Sequence, residues 1–331
     1  MAYKKISKEN LLHNLAIVAK RAGGVQKIAA VLKDDAYGHG LERIATWLAE
    51  AGVKRAVVRT RDEAEAIKDL FDYILVLQDR PRQKERFVYT INSLDAIEMF
   101  PKGQKVELKV DTGMHRNGID PKELQEAFKQ IAAQGLELVG VFTHFRSADE
   151  LGCDLFWQVK QFENVKSEAK ELAKVYGFDL HFHSANSAAL MRWGLADDFA
   201  RVGIALYGLL EMDRVFDVPP MRPVMSLWAR RLAVRKLSKG QRVGYGGVFE
   251  APDEMVVATY DVGYGDGLAR TASGFTLPDG SKILGRVSMD CITVDSDKEE
   301  ICIFEDANKL ARHIGTIGYE VVTALKGVGA K

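Results

Sequence analysis

Eight short apolar segments, separated by stretches of helical periodicity, constrain the fold of this 331-residue chain most strongly. Each has the length and the apolar, often β-branched content of a buried strand. The eight segments are 27–33, 55–59, 73–78, 87–92, 106–111, 136–144, 180–185 and 200–206. The clearest helical stretches between them are 41–52, 121–135 and 156–176. This alternation predicts a parallel (β/α)8 barrel of the TIM type, with a doubly wound open sheet as the alternative.

The pattern changes after Tyr207, where prolines cluster at Pro219, Pro220 and Pro223. The segments that follow have the composition of strands, at 225–237, 255–262 and 281–296. One later helix is predicted at 307–315. A chain of this length exceeds what a single core usually organises. We therefore predict two domains in the α/β class, an N-terminal barrel over 1–220 and a C-terminal mostly β domain over 221–331.

Charge and composition restrict the class of partner. Lys plus Arg and Asp plus Glu both number 46, so no charge surplus favours nucleic acid or an anionic membrane. A small-molecule substrate is the better expectation.

The polar start, MAYKKISKEN, does not resemble a signal peptide, and no segment approaches the roughly 18 apolar residues of a membrane span. A cytoplasmic location is expected. The spacing of the cysteines suggests neither disulfides nor a zinc site, at Cys153, Cys291 and Cys302.

A lysine ends the first predicted strand, in the segment VLKDDAYGHG (31–40). The carboxyl ends of barrel strands form the catalytic rim of this fold, so Lys33 is a candidate functional residue. Taken alone, a lysine at a strand end is usually a solvated structural residue. The segment, however, resembles the cofactor-lysine motif of the alanine racemase family, with Asp34 where that family commonly has alanine.

Eight further segments resemble signatures of the same family, in the same order along the chain. They are LKVDTGMHRNG (108–118), FTHFRSADE (142–150), HSANSAA (183–189), RVGIALYG (201–208), VGYGGVFEA (243–251), VGYGDG (262–267), GRVSMD (285–290) and IGYE (317–320). The resemblance covers nearly the whole chain. It implies a barrel followed by a β domain, pyridoxal 5'-phosphate as cofactor, and interconversion of L- and D-alanine that supplies D-alanine for peptidoglycan.

The resemblance also implies two catalytic residues. Lys33 would hold the cofactor covalently as a Schiff base and, once freed by substrate, act as a base on one face of the substrate. Tyr245 of the partner subunit would act on the opposite face, which implies a homodimer with composite active sites. A phenol is a weak base at neutral pH, and the resemblance supplies His144 and Arg201 as the relay that makes it effective. Without the resemblance, Tyr245 beside glycine would be interpreted as turn packing.

The remaining site residues follow from the same resemblance. Arg201 would face the pyridine nitrogen of the cofactor and, by staying charged, restrain delocalisation into the ring and suppress transamination. The substrate carboxylate would be bound by Arg116 and by the backbone N–H of Met289 from the other subunit. Tyr264 would line the entrance, and Lys109 matches a lysine that the family sometimes carbamylates. The groups implied for phosphate binding are the hydroxyls of Tyr37, Ser187 and Tyr319 and the backbone N–H groups of Gly203 and Ile204.

Some features depart from the family pattern, and one suggests different chemistry. His181 and His183 point to one face of a strand, but no third ligand is evident, so no metal site is predicted. The C-terminal LKGVGAK lacks the Arg-Val-Pro-Arg stretch common in the family. His115 and Asn117 flank Arg116 where glycine and leucine are frequent in relatives. Substrate preference is therefore less constrained than reaction type.

Two other functions compete with racemisation. A decarboxylase of the same architecture would pair the pyridine nitrogen with an acid, and Arg201 argues against it. A racemase of broader specificity is a closer alternative. A non-catalytic carrier of pyridoxal phosphate would be a single barrel, without a second domain that carries Tyr245 and Met289.

Overall fold

The computed structural model describes residues 1–213, 215–325 and 327–330. Lys326 and Lys331, both in the atypical C-terminal segment, lie outside these ranges. The chain begins with strand β1 (Tyr3–Ile6) and helix α1 (Lys8–Ala22), and a barrel sheet follows. Its strands are β2 (Ile28–Val31), β3 (Arg55–Val58), β4 (Tyr73–Val76), β5 (Val88–Ile91), β6 (Lys105–Lys109), β7 (Glu137–Phe142), β8 (His181–His183) and β9 (Ala200–Val202).

All eight barrel strands run parallel in the order β8-β7-β6-β5-β4-β3-β2-β9. Two backbone bonds connect β9 and the segment just before it to β8 and its extension, from Asp198 N–H to Phe182 O (3.1 Å) and from Arg201 N–H to Ala185 O (3.0 Å). The sheet is therefore nearly closed, which confirms the predicted barrel rather than an open sheet. Each of the eight predicted strands is present.

Three helices of the barrel match the predicted stretches, α3 (Leu41–Glu50), α5 (Leu124–Ala133) and α6 (Asp154–Tyr176). Three shorter segments were not predicted, α2 (Lys33–Gly38), which contains left-handed residues, α4 (Arg61–Ala66) and α7 (Ser187–Trp193). The strands are almost wholly buried, because the barrel interior covers one face and the helices cover the other. None of the helices in the described ranges combines the length and apolar content needed to cross a lipid bilayer.

The second unit is mostly β, as predicted. Its strands are β10 (Met225–Leu237), β11 (Arg242–Val243), β12 (Phe249–Glu250), β13 (Met255–Tyr260), β14 (Ile283–Leu284), β15 (Ile292–Val294), β16 (Glu300–Phe304) and β17 (Gly329–Ala330), and its helices are α8 (Ala307–Ile314) and α9 (Gly318–Ala324). The main sheet has the order β14-β15-β13-β10-β1-β17, with β16 also paired to β10. The N-terminal strand β1 thus belongs to this sheet, paired from Tyr3↔Trp228 to Ile6↔Met225.

The segment after β2 forms a left-handed turn. Four consecutive residues other than glycine, Asp34 to Tyr37, have φ between 52° and 56°. L-residues avoid this region at about 1–2 kcal/mol each, so the turn needs external support. Asp34 N–H donates to Glu63 Oε1 at 2.6 Å, and Asp35 Oδ1 accepts from Leu41 N–H at 2.8 Å. These bonds hold the turn in the conformation that brings Lys33 and Tyr37 to one cavity.

Gly208 connects the end of the barrel to the second unit at a point where no Cβ fits. Its φ is +76°, and a Cβ would lie 1.9 Å from the carbonyl oxygen of Arg222. Gly23 has a similar φ of +83° but open space around it. We expect Gly23→Ala to lower the free energy of unfolding by about 1 kcal/mol and Gly208→Ala by about 3 kcal/mol, because only the second adds a backbone clash to the φ strain. Urea unfolding of both variants measures the difference, and equal losses would contradict it.

Candidate active site

A cavity of about 620 Å³ lies at the carboxyl ends of the barrel strands. Residues just beyond β2, β6, β7 and β9 line it, which is the rim where this fold places its functional groups. Most of the residues predicted from the sequence border this one cavity. They are Lys33, Tyr37, Lys109, Arg116, His144, Ser187, Arg201, Gly203, Ile204 and Tyr319. Tyr319 is contributed by α9 of the second unit.

Positive charge predominates around the cavity. Among its described lining residues, five side chains are cationic and two are acidic. The cations are Lys33, Lys109, Arg116, Arg146 and Arg201, and the acids are Asp149 and Glu211. Arg146 is paired with Asp154 at 2.7 Å, outside this lining. The surplus favours an anionic ligand such as a phosphate or a carboxylate.

Lys33 is buried enough for its amine to lose its proton more readily than usual. Burial is the largest cause that lowers its pKa, and the charges of Arg116 and Arg59 lower it further. The charge of Asp34, which is paired with Arg59 at 2.6 Å, opposes this shift. A lysine with a lowered pKa is suited to act as a nucleophile or a base near neutral pH.

Arg201, on β9, has a buried side chain held at several points. Its Nη2 donates to Thr143 O at 2.7 Å, and its Nη1 donates to His183 O at 3.1 Å and contacts His183 Nδ1. None of the described residues accepts from its Nε. Burial lowers the pKa of Arg201 to about 10, which still leaves the guanidinium charged at neutral pH. The site therefore presents a fixed cation with one N–H available to a ligand.

His144 lies next to this cation. Its Nδ1 is 3.4 Å from Arg201 Nη2, so the two predicted members of the relay are adjacent. Burial lowers the pKa of His144 well below its ordinary value, and the charges of Arg201 and Lys109 lower it further. His144 is consequently a neutral imidazole in this site.

The predicted phosphate-binding groups meet where α7 begins. Ser187 Oγ accepts from the backbone N–H groups of Gly203 (3.1 Å) and Ala205 (3.3 Å), which leaves its own O–H to donate. The N–H of Gly203, predicted as a phosphate donor, is thus directed to Ser187. A Cβ on Gly203 would lie 2.7 Å from the Tyr37 hydroxyl, so glycine allows this phenol to approach the backbone. Burial raises the pKa of both Tyr37 and Tyr319, which keeps their hydroxyl protons available for donation.

Lys109 and Arg116 lie on the same wall of the cavity. Burial and the charges of Arg116 and Arg201 lower the pKa of Lys109 to about 8. Lys109 Nζ donates to Asn117 Oδ1, and Asn117 Nδ2 donates to Asn92 Oδ1 at 2.9 Å. Asn117, noted above as a departure from the family pattern, therefore holds Lys109 beside the arginine predicted to bind the substrate carboxylate.

The predicted residues of the β domain lie outside this cavity in the single chain. Tyr245, Met289 and Tyr264 expose 68%, 55% and 43% of their surface. The segments of Tyr264 and Met289 are adjacent, because Gly265 N–H donates to Met289 O at 2.8 Å. Large exposed side chains on neighbouring loops form a surface that a second molecule can cover.

An acidic side chain lies next to His181 and His183 and was not expected from the sequence. Glu107 Oε1 lies 2.5 Å from His181 Nε2, and Glu107 Oε2 lies 2.8 Å from His183 Nε2. The expectation that no third candidate ligand lies near the two histidines is therefore wrong. The signal was present in VELK, where Glu107 and Lys109 occupy the same face of the strand and alternate with the apolar Val106 and Leu108.

Comparison with known proteins agrees with this fold. Models of the alanine racemase N-terminal and C-terminal domains match residues 6–211 and 224–328. The chain is 54% identical to an alanine racemase of a Nitratiruptor species over 326 residues, which is 98% of this chain and 97% of the relative. It is 43% identical to that of Campylobacter concisus, over 97% of this chain and 96% of the relative.

Solved structures of the same class superpose over nearly the whole chain. The alanine racemase from Streptomyces coelicolor gives a TM-score of 0.89 at 28% identity, covering 99% of this chain and 97% of that one. The alanine racemase from Bacillus anthracis, solved with bound L-Ala-P, gives 0.86 at 29% identity, covering 98% and 92%. This barrel with its β domain and cation-lined cavity is that of a racemase built on the TIM fold. The chain belongs to the alanine racemase family.

Proposed function

We propose that this protein interconverts L-alanine and D-alanine with pyridoxal 5'-phosphate as cofactor. The observation that carries the proposal is the cavity, where a half-buried lysine of lowered pKa and a fixed arginine lie among anion-binding groups in a member of the alanine racemase family. The Bacillus anthracis relative with bound L-Ala-P supports an alanine-sized substrate. We further propose that the product D-alanine serves peptidoglycan synthesis in the cytoplasm.

The residues around the cavity fit this cofactor. The phosphate would be held by the hydroxyls of Ser187, Tyr37 and Tyr319 and by the backbone N–H of Ile204, whereas the N–H of Gly203 holds Ser187 in place. The aldehyde would be bound covalently by Lys33 Nζ, and Arg201 would donate to the pyridine nitrogen. When bound, the cofactor withdraws electrons from the α-carbon of an amino acid and makes its α-hydrogen removable as a proton.

Racemisation requires a proton to leave one face of the α-carbon and another to arrive on the opposite face. Lys33 Nζ serves one face in this proposal, and the Tyr245 hydroxyl of a second subunit serves the other. Arg116 binds the substrate carboxylate, assisted by Met289 N–H of that second subunit, and so fixes the α-carbon between the two bases. His144, adjacent to Arg201, passes the proton to or from Tyr245.

This arrangement requires a homodimer. Tyr245, Met289 and Tyr264 lie on an exposed surface of the β domain, and none borders the cavity of its own chain. We propose that residues 1–220, apart from strand β1, form the cofactor-binding domain. Residues 221–331 place Tyr319 at the cavity of their own chain and, in this proposal, complete the site of the partner subunit.

The charge of Arg201 should determine which reaction the site performs. We expect Arg201→Glu to lower racemisation by about 10²-fold or more and to raise transamination, because an acid would stabilise a protonated pyridine and spread charge into the ring. Pyridoxamine formation per racemisation event is the quantity to measure. Arg201→Lys, which retains a cation, is the control and should leave this ratio low. An unchanged ratio in Arg201→Glu would count against the assigned role.

The proposed function has a direct test. The purified protein with added pyridoxal phosphate should show the absorption band of a lysine-bound cofactor and abolish the optical rotation of L-alanine. A coloured protein that leaves alanine unchanged would indicate a carrier, and carbon dioxide release would indicate a decarboxylase. A panel of amino acids then separates an alanine enzyme from a racemase of broad specificity.

A further inference from the structure

Arg201 is the first member of a hydrogen-bonded series that continues to a buried acid. Its Nη1 contacts His183 Nδ1, and His183 Nε2 lies 2.8 Å from Glu107 Oε2. The side chains of His183 and Glu107 have no solvent exposure. Of the three residues, only Arg201 borders the cavity. Any effect of the series on the site is therefore transmitted through the guanidinium.

The proton positions in this series follow from the chemistry of its ends. A guanidinium only donates, so His183 Nδ1 must accept and carries no proton. A carboxylate only accepts, so His183 Nε2 must donate and carries the proton. His183 is consequently a neutral imidazole in a single tautomer. Burial lowers the pKa of His183 to about 4, which favours the same neutral state.

Glu107 is ionised in this arrangement. Its carboxylate accepts from His183, from His181 Nε2 at 2.5 Å and from the hydroxyl of Tyr73. Burial alone would raise the pKa of Glu107, but the two histidines and their hydrogen bonds bring it below its ordinary value. Three donors thus satisfy a buried charge, and this charge balances that of Arg201 across a neutral ring.

We infer that Glu107 is a positioning residue for Arg201, because its carboxylate selects the one tautomer of His183 that offers an acceptor to the guanidinium. In the other tautomer, Nδ1–H would face the N–H of Arg201, and two buried donors would oppose each other. Arg201 would then lose one of the contacts that fix its plane. The inference rests on the proposed function, in which Arg201 contacts the cofactor ring.

A shared metal ion is the competing explanation for Glu107, His181 and His183. Two ligand atoms of a tetrahedral zinc, with bonds of about 2.0–2.1 Å, lie about 3.3 Å from each other. The nitrogen–oxygen distances here are 2.5 and 2.8 Å, which are those of direct hydrogen bonds. The remaining nitrogen of His183 is already in contact with Arg201. A proton between these groups fits the distances, and an ion does not.

The imidazole nitrogens of the full-length enzyme test this inference without any activity assay. The chain has seven histidines, and in ¹⁵N-histidine-labelled protein the signals of His183 are identified by their loss in His183→Gln. We expect Nε2 protonated and Nδ1 unprotonated at neutral pH. An imidazolium or an Nδ1–H signal would overturn the inference, as would a shift of these signals on adding zinc alone.

Glu107→Gln tests the same link by replacing a group that only accepts with an amide whose NH2 can turn toward His183 Nε2 and donate to it. We expect the Nδ1–H tautomer to appear, transamination per turnover to rise, and kcat to fall by about 10- to 100-fold, the size of loss found when outer partners of metal-binding histidines are removed. KM should change little because Arg116 is untouched. If this variant does not fold, the wild-type spectrum still decides the question.

Tyr73→Phe is the matched control. It removes another donor to the same carboxylate but leaves the contact between Glu107 and His183. We expect its His183 spectrum and its reaction ratio to match those of the wild type. Equal losses of activity in both variants with unchanged nitrogen spectra would show a merely structural role and overturn the inference. Failure of the proposed function would look different, since the wild type would then not racemise alanine whatever the tautomer.

Discussion

Replacing Lys33 with alanine is expected to remove both the colour and the racemase activity of the protein. Lys33 is the one lysine that follows directly from the end of β2 into the left-handed turn, at the wall of the cavity. Its loss removes the covalent attachment of the cofactor and one of the two bases. Because a positioned base alone contributes about 10²–10⁴-fold, we expect kcat to fall by at least about 10⁴-fold. Alanine racemisation and the visible absorption spectrum measure the two effects.

Lys109→Ala is the control for this prediction. Lys109 borders the same cavity and also has a lowered pKa, of about 8, but its amine donates to Asn117. We expect this variant to keep the absorption band of the bound cofactor and to lose mainly substrate affinity. A coloured Lys33→Ala protein, or a colourless Lys109→Ala protein, would contradict the assignment and indicate Lys109 as the residue that binds the cofactor.

Tyr245→Phe is expected to give the second largest loss. The substitution removes only a hydroxyl from a side chain that is 68% exposed in the single chain, so folding should be unaffected. We expect racemisation to fall by about 10²–10⁴-fold because one face of the substrate has lost its base. Lys33 still serves the other face, so solvent deuterium should continue to enter the α-position of one enantiomer. Mass spectrometry of each enantiomer distinguishes this result from a general loss of activity.

Mixing the two inactive variants tests whether the two bases come from different subunits. A dimer of one Lys33→Ala and one Tyr245→Phe subunit has one site with both bases and one site with neither. Random exchange makes half of the dimers mixed, so we expect about one quarter of wild-type activity to return. Subunit exchange is verified by mass labelling. Exchange without recovered activity would contradict composite sites.

The barrel was predictable because its strands depend on local composition. Each of β2 to β9 is a short apolar run in a polar context, and burial on both faces requires such runs in a parallel sheet. The position of Lys33 at the cavity was predictable from its place just after β2. The residues that form the cavity come from separate segments. Their order along the chain resembled that of a known family, and ten residues named on that basis line the cavity.

Other features depend on contacts that sequence patterns do not encode. Strand β1, with the sequence YKKI, has two lysines, and its partner β10 begins more than 200 residues later. The left-handed turn contains no glycine within 34–37 that would indicate positive φ. A hydrogen bond to Glu63, distant in sequence, stabilises it instead. Glu107 was missed because alternation of apolar and polar residues normally predicts a solvent-facing side. In this barrel the polar side of β6 faces inward, where histidines satisfy it.

The position of β1 has a consequence for how the polypeptide is assembled during translation. Strand β1 leaves the ribosome before the barrel strands but pairs with β10 and, in parallel, with β17, so it lacks its sheet partners while the whole barrel is synthesised. Contacts of such sequence separation close late and slow the final step of folding. A fragment cut between the barrel and the β domain would separate β1 from its sheet. When catalytic barrels are exchanged among relatives, the residues of β1 must therefore come from the same protein as the β domain with which they pair.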